Sequence, residues 1–292
     1  MARLHTDIQV ARSRKGFTLI ELLIAVLIIA ILATLVTLGV SKAMSYAKQV
    51  ATKTEMGQIE QALGVAAIEM GRVPYIPSYI KLCYSKNGYN PQSPSDQMSM
   101  RILIQMFPNA WTGTNGLEDW NGPNMPDPAN GMIELKADRA FVFFLRGPDG
   151  NGFSAKGPPT SSIAGAKRFG PYYEFKVDRL NFGSDGLASY RDYWDNPNAN
   201  LVVYSQMMIG QTPPNQHFDL PGLPVPPRQF QDNNKYFMPK GYQILSAGKD
   251  GIWGKYPSGK FVGGPSIFPS GDPGEDDQSN FADEPHGKPV AD

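Results

Sequence analysis

One acidic side chain, Glu21, interrupts an apolar run that begins at Phe17 and reaches about Val40. The run is roughly 24 residues long, and a helix needs about 20 apolar residues to cross the hydrocarbon core of a bilayer. A carboxylate at that depth costs on the order of a few kcal/mol unless a positive charge neutralises it. Glu21 therefore requires a cationic partner.

The residues before the apolar run supply a candidate for that partner. They are basic or small, namely Arg12, Ser13, Arg14, Lys15 and Gly16. Proteolysis after Gly16 would create a new α-amino group on Phe17, four residues before Glu21. That ammonium can pair with the carboxylate of a neighbouring helix shifted along its axis. The charge of Glu21 is then tolerated in lipid only when subunits associate. Glu21 would also set the axial register of neighbouring helices, as a single buried polar residue does in a coiled coil.

Residues 14–23, with the sequence RKGFTLIELL, resemble the processing site of type IV pilin-like prepilins, which include the pseudopilins of type II secretion systems. The resemblance implies that a prepilin peptidase cuts after Gly16 and N-methylates Phe17. It also implies that Glu21 neutralises the Phe17 amine of an adjacent pilin-like subunit. An ordinary signal peptide would instead have an apolar core of about 7–15 residues and a small-residue cleavage site after it. A plain membrane anchor gives no reason for an acid at this position.

The charge pattern predicts the orientation in the membrane. The 292 residues carry 27 basic and 27 acidic side chains, so the overall charge does not indicate a nucleic-acid partner. Before the apolar run, one acid, Asp7, is outnumbered by four bases, which are Arg3, Arg12, Arg14 and Lys15. By the positive-inside rule the N terminus is cytoplasmic and the C-terminal region is periplasmic or exported. We expect a single-pass protein of the bacterial inner membrane, in contact with the lipid bilayer. The resemblance adds an inner-membrane assembly platform as a partner.

A second set of residues could bind a hard cation. It consists of four aspartates near the C terminus, Asp250, Asp272, Asp276 and Asp277. Calcium takes six to eight oxygen ligands, which these carboxylates and loop carbonyls could supply. Residues 245–251, LSAGKDG, look like the S-x-G-x-D-G loop of type II secretion pseudopilins, and in the major pseudopilin this loop and the acidic stretch after it bind calcium. The alternative is a solvated acidic tail with a glycine turn at 250–251.

One further stretch extends the resemblance. Residues 190–197, YRDYWDNP, are similar to the DPWGNPY hairpin of the same pseudopilins, with Tyr193 and Asp195 in place of its Pro and Gly. The resemblance is strongest over residues 17–40, weaker to residue 75, and patchy beyond. Many pilins also carry a Pro early in the helix, where this chain has Leu38 and Gly39.

These residues must be positioned by a long helix. Residues 41–71 contain no Pro, and small or apolar side chains recur every three or four positions, at Ala43, Ala47, Val50, Ile59, Leu63, Ala66 and Met70. That spacing predicts an amphipathic helix continuing from the apolar run, from Phe17 to Gly71, before Pro74. Two helices broken near Gly39 are the alternative. The predicted organisation is a leader (1–16), an assembly helix (17–40), its amphipathic continuation (41–73) and an exported globular domain (74–292).

The globular domain is expected to complete an α+β fold of the pilin-like type. Residues 95–107 read as a short helix, and 137–145 suit either a helix or a buried strand. The segments 171–177, 200–205 and 241–246 alternate as strands do, which predicts a small antiparallel sheet packed on the long helix.

Catalytic motifs are missing from the sequence, so we do not expect an enzyme. His217 and His286 are predicted to lie on the surface, and the single cysteine, Cys83, to be buried or half-buried rather than to cross-link subunits. The preferred interpretation is a structural filament subunit, as in a type II secretion pseudopilus. The alternatives are a minor type IV or DNA-uptake pilin, and a membrane-anchored binding module that uses exposed tryptophans, namely Trp111, Trp120 and Trp253.

Overall fold

The computed structural model describes residues 16–286 with gaps at 72, 74, 114–115, 123–130, 162–164, 166, 198, 206–230, 233–234, 237–240, 255–270 and 283–284. For 231–232 and 235–236 it describes the backbone. The chain divides into two compact units, residues 1–47 and 48–292. Apart from Gly16, the predicted leader lies outside the described residues, as does His217.

The helix α1 extends from Leu19 to Glu69, 51 residues without interruption. It continues through Gly39, so the prediction of one long helix is confirmed and the alternative of a break there is wrong. The helix ends two residues before the predicted end, because Gly71 adopts a left-handed conformation (φ 92°) that a helix cannot continue. A Cβ at Gly71 would also lie 2.4 Å from the Gln105 carbonyl oxygen, so the turn fits glycine alone.

In the first unit, the described chain consists of the residues before α1 and the apolar part of α1. The large apolar side chains from Phe17 to Val40 are between 48% and 86% exposed. This helix is long and apolar enough to cross a membrane by length and composition.

In the second unit, one face of α1 is buried against the rest of the unit. Met56, Ile59, Leu63 and Met70 are fully buried there, which confirms the predicted stripe from Ile59 onward. Val50 was assigned to the same stripe but is 46% exposed.

The described strands form small antiparallel sheets, which completes the predicted α+β, pilin-like fold. The strands are β1 (Ile80–Cys83), β2 (Met132–Leu135), β3 (Phe153–Ser154), β4 (Arg168–Phe169), β5 (Leu180–Phe182), β6 (Ala188–Tyr190), β7 (Val202–Ser205), β8 (Gln231–Asp232), β9 (Lys235–Tyr236), β10 (Tyr242–Ser246) and β11 (Gln278–Ser279). One sheet has three strands in the order β11-β10-β7, and the pairs are β1-β2, β3-β4, β5-β6 and β8-β9. The predicted strands at 200–205 and 241–246 are therefore confirmed.

Two shorter helices accompany the sheets. The helix α2 spans Pro94–Met106, as predicted, with the Ser93 side chain accepting from the Asp96 N–H at its start. The ambiguous segment 137–145 contains α3, Ala140–Arg146, whose first six residues are all buried.

The predicted strand at 171–177 is wrong. The Tyr172 N–H donates to the Leu145 carbonyl (2.8 Å), and the segment pairs with no strand in the described chain. Its rings pack instead, with Phe175 4.8 Å from both Tyr173 and Tyr190, centroid to centroid. Phe175 is buried by this ring packing and not by a sheet, whereas Val177, on the same predicted face, is 76% exposed.

Candidate functional site

The predicted cleavage site lies in non-helical chain just before α1. Gly16 and Phe17 are exposed, and Phe17 is 86% exposed. Because the helix begins only at Leu19, the peptide bond between Gly16 and Phe17 is not locked into helical hydrogen bonding. A peptidase can therefore reach this bond without unwinding a helix.

Thr18 and Glu21 form a capping box at the start of α1. The Glu21 N–H donates to Thr18 Oγ1 (3.3 Å). In return, Glu21 Oε2 accepts from both the N–H and the hydroxyl of Thr18, each at 2.8 Å. This arrangement satisfies N–H groups that the first turn of a helix otherwise leaves unpaired.

The capping box changes the chemistry expected of Glu21. Within one chain its carboxylate is hydrogen-bonded but not neutralised, since Thr18 supplies dipoles and no charge. Capping by Thr18 therefore leaves the predicted need of Glu21 for a cationic partner in place. The sequence prediction missed Thr18, although the spacing Thr-x-x-Glu directly before an apolar run is a recognisable sign of this motif.

The four aspartates predicted to bind calcium lie in two neighbouring segments. Each accepts a backbone N–H: Asp250 from Ile252, Asp272 from Gly274, Asp276 from Lys249 and Asp250, and Asp277 from Gly254. Among the described residues, no group of three or more His, Cys, Asp or Glu side chains could hold a metal ion. The donor set present is thus a poor match for calcium, and the calcium assignment stays a prediction.

The two stretches that resemble pseudopilin loops contact each other. The Ser246 hydroxyl donates to Asp192 Oδ2, and the Gly248 N–H donates to Ser246 Oγ (3.1 Å). The Asn196 amide donates to the Asp250 carbonyl (3.0 Å). Burial raises the pKa of Asp192 to about 6, against the hydrogen bond from Ser246, which lowers it.

The stretch at 190–197 is a turn and not a hairpin. It follows β6, which pairs with β5, and leads to β7, which pairs with β10. Asp195 has φ 56°, the left-handed conformation in which glycine is most easily placed and Asp is tolerated. Asp195 occupies the position of the Gly in the resembling pseudopilin sequence.

A buried ion pair that the sequence did not reveal joins α1 to the turn after residue 176. Arg179 Nη1 donates to Glu55 Oε2 (2.8 Å) and Arg179 Nη2 to Glu55 Oε1. The hydroxyls of Tyr173 and Tyr190 donate to Glu55 Oε1 at 3.1 and 2.9 Å. Glu55 and Arg179 are 3% and 4% exposed, so this network fixes the position of α1 against the sheet region of the second unit.

The remaining candidate residues are buried. The three tryptophans proposed as exposed binding residues, Trp111, Trp120 and Trp253, are 9%, 0% and 4% exposed. The Nε1–H groups of Trp111 and Trp120 both donate to the Cys83 carbonyl, at 2.9 and 3.0 Å. The alternative of a binding module that uses these tryptophans as exposed residues is therefore wrong, because aromatic packing and this shared acceptor hold Trp111 and Trp120 in the core.

The predicted burial of Cys83 is confirmed, and the predicted surface position of His286 is wrong. Cys83 is 1% exposed and free, as expected of a buried thiol, and burial raises its pKa. His286 is 2% exposed, with Nε2 2.9 Å from Ser279 Oγ, so its predicted surface position is wrong. Burial lowers the pKa of His286 to about 4.

Comparison with known proteins identifies one family model, the prokaryotic N-terminal methylation motif, over residues 11–37. No curated protein and no solved structure matches the chain. The motif supports a type IV pilin-like prepilin that is processed by prepilin peptidase and assembles with other pilin subunits. Together with the apolar helix it fits a membrane-anchored structural protein.

Proposed function

We propose that the chain is a pseudopilin, a structural subunit of the filament of a type II secretion system. In this proposal a prepilin peptidase removes residues 1–16, the helix anchors the subunit in the inner membrane, and the C-terminal region is periplasmic. An inner-membrane assembly platform then moves the subunit into the filament. The main observation behind the proposal is the junction before α1. There an exposed Gly16–Phe17 bond precedes a helix in which Glu21 is the one charged residue of the apolar run.

The electrostatics of this junction support assembly as the role. Cleavage exposes an ammonium on Phe17, and Glu21 retains a full negative charge that Thr18 only hydrogen-bonds. Cross-chain pairing of the two removes the cost of the carboxylate in hydrocarbon. Only processed subunits have the ammonium, so only they can enter the filament with their charges compensated.

The assignment to secretion is supported by the packing of the two pseudopilin-like stretches. They come together through Ser246 and Asp192, and through Asn196 and Asp250. The left-handed Asp195 keeps the backbone shape that a glycine would give at that position. The antiparallel pairing of β7 with β10 brings the end of β10 beside the start of β7, which places the two stretches together.

Processing is tested by mass spectrometry of the N-terminal peptide after co-expression with a prepilin peptidase. The expected mature chain begins at Phe17 and carries one N-methyl group. The control is the same chain expressed without the peptidase, which should retain residues 1–16. An uncut chain in the presence of active peptidase would contradict the proposal.

Assembly is tested with Glu21→Ala. The variant should insert into the membrane, because it makes the helix more apolar, but it should not appear in sheared filament fractions. Filaments formed normally by this variant would show that charge pairing is not the assembly step.

The identity of the filament is tested by deleting the gene and measuring two outputs side by side. A pseudopilin deletion should abolish export of the secreted proteins and leave DNA uptake and surface pili intact. The reverse pattern would assign the chain to a type IV or DNA-uptake pilin and would leave the processing and assembly steps unchanged.

A further inference from the structure

We infer that the C-terminal segment is fastened to the loop after β10 by hydrogen bonds from backbone N–H groups to its carboxylates, and not by a calcium ion. The strap is defined here as residues 271–282, and the 247–254 loop follows β10 directly. The fastening would need no calcium, whichever filament the subunit joins.

Carboxylates of the strap face amides of the 247–254 loop. Asp276 Oδ2 accepts from two successive N–H groups, Lys249 and Asp250, the latter at 3.0 Å. Asp277 Oδ2 accepts from the Gly254 N–H at 3.1 Å. Two adjacent strap residues thus hold the middle and the end of the loop.

The other candidate ligands are engaged locally. Asp250 Oδ1 accepts from the Ile252 N–H (2.8 Å), and Asp272 Oδ1 accepts from the Gly274 N–H (2.9 Å). Glu275 Oε2 accepts from the Gly271 N–H (3.0 Å). These oxygens cap turns of their own segments, and the described residues contain no group of three or more His, Cys, Asp or Glu side chains that could hold a metal ion.

Backbone N–H dipoles face the charge of Asp276 at this contact. A carboxylate that accepts several backbone N–H bonds is stabilised in its ionised form. Each of these bonds engages one of the two oxygens of its carboxylate. Asp276 gains two such donors but is partly desolvated, and burial raises its pKa.

The close approach of the two segments requires a glycine. Gly248 has φ 64°, and a Cβ there would lie 2.1 Å from the Asp276 carbonyl oxygen. The loop and strap backbones are therefore in direct contact at this point, which leaves no room for an ion between them.

The strap is also fastened to β10 and to α1. Ser279 and Gln278 pair with Leu245 and Ser246 in the sheet. The Asn280 amide donates to Glu60 Oε2 (2.9 Å), and Lys53 Nζ donates to the Ala282 carbonyl (2.7 Å).

The experiment measures the melting temperature of the full chain in detergent, with millimolar calcium and with EGTA. A site filled about 100-fold above its Kd would raise the melting temperature by roughly 5–10 °C. We expect no such shift. Trypsin cleavage after Lys249, which reports opening of the loop, should be equally slow in both conditions.

Variants separate the two explanations. Asp276→Ala should lower the melting temperature and speed cleavage after Lys249 by the same amount with calcium and with EGTA. Asp272→Asn is the matched control, because Asp272 bonds only within its own turn, and it should behave as wild type in both assays. Where Asp276→Ala fails to fold, Asp276→Asn, which keeps an acceptor oxygen, carries the comparison.

A calcium-dependent rise in the wild type that disappears in both Asp276→Asn and Asp277→Asn would overturn the inference. A rise that persists in both variants would place a calcium site elsewhere and support the amide fastening.

Gly248→Ala tests the contact between the loop and the strap without changing a charge. It should open the loop, and so speed trypsin cleavage after Lys249, both with calcium and with EGTA. Gly116→Ala is its control, since Gly116 has φ 67° but nothing within 4 Å of its Cβ position. Equal effects of the two substitutions would contradict the direct contact.

Discussion

Thr18 and Glu21 bind each other at the first turn of α1, through three hydrogen bonds of 2.8 to 3.3 Å. The carboxylate proposed to pair with an ammonium on the next subunit is thus already part of a cap in its own chain. In the proposed assembly, Glu21 would begin to pair with the next subunit from this capped state. Substitutions at position 21 can separate the effect of the capping hydrogen bonds from the effect of the negative charge.

Glu21→Gln removes the charge and keeps an oxygen that can accept from Thr18. We expect normal membrane insertion and loss of assembly as severe as in Glu21→Ala, because an amide cannot neutralise the Phe17 ammonium. The readout is the amount of subunit in sheared filaments. Thr18→Ser keeps the hydroxyl and is the control for the cap. Wild-type assembly by Glu21→Gln would mean that hydrogen bonding, and not charge, is what position 21 provides.

Glu55 and Arg179 should be strongly coupled in stability. Removing one partner, as in Glu55→Leu or Arg179→Met, leaves a buried charge unpaired and should cost about 3–5 kcal/mol of unfolding free energy. The double substitution should cost clearly less than the sum, since neither charge then remains. Denaturant unfolding of the four proteins measures the coupling. Additive losses would contradict the paired geometry.

Acid should destabilise the fold through His286. Its folded pKa of about 4 lies below its ordinary value of 6.5, so between these values the unfolded chain binds the proton and the folded chain does not. This contribution to stability is present above pH 6.5 and is lost as the pH falls toward 4.

The variant His286→Gln should remove that pH dependence. Asp192 works in the opposite direction over nearly the same range, because its raised pKa of about 6 makes the folded chain bind the proton more tightly. Asp192 is present in both proteins, so the difference between wild type and variant isolates the histidine. A difference that does not change between pH 4 and 6.5 would show that His286 does not titrate there.

Cys83 should resist thiol reagents in the folded protein, because it is 1% exposed and its pKa is raised. Labelling should become fast only in denaturant, and subunits should not form disulfide-linked dimers under oxidation. The control is Cys83→Ser combined with Val177→Cys, since Val177 is 76% exposed. Rapid labelling of native wild type at Cys83 would contradict its burial.

Gly71→Ala should destabilise the protein more than Gly157→Ala. Both glycines have a left-handed backbone (φ 92° and 86°), so each substitution costs about 1–2 kcal/mol in backbone strain. Only at Gly71 does the added Cβ meet an atom, the Gln105 carbonyl oxygen at 2.4 Å. Denaturant unfolding measures the difference, and equal losses would argue against the close contact between Gly71, in the turn after α1, and Gln105 of α2.

The sequence by itself determined the features that depend on near neighbours along the chain. Residues 14–23 carry the cleavage motif because a peptidase recognises a short contiguous segment. The long helix could be predicted because apolar periodicity and freedom from Pro act within a few turns, and β7, β10 and α2 have similarly local patterns. The capping role of Thr18 could have been predicted in the same way, since a capping box also depends on residues close together in the sequence.

Only the tertiary structure decided which distant groups meet. Glu55 and Arg179 are 124 residues apart, and either alone reads as an ordinary surface charge. Asp276 reads as a calcium ligand or a solvated acid until the amides of Lys249 and Asp250 are placed against it. His286 and Trp120 become core residues through packing that no local pattern encodes. The physical reason is that hydrogen bonding, charge pairing and burial depend on distance in space, which the order of residues fixes only over a few positions.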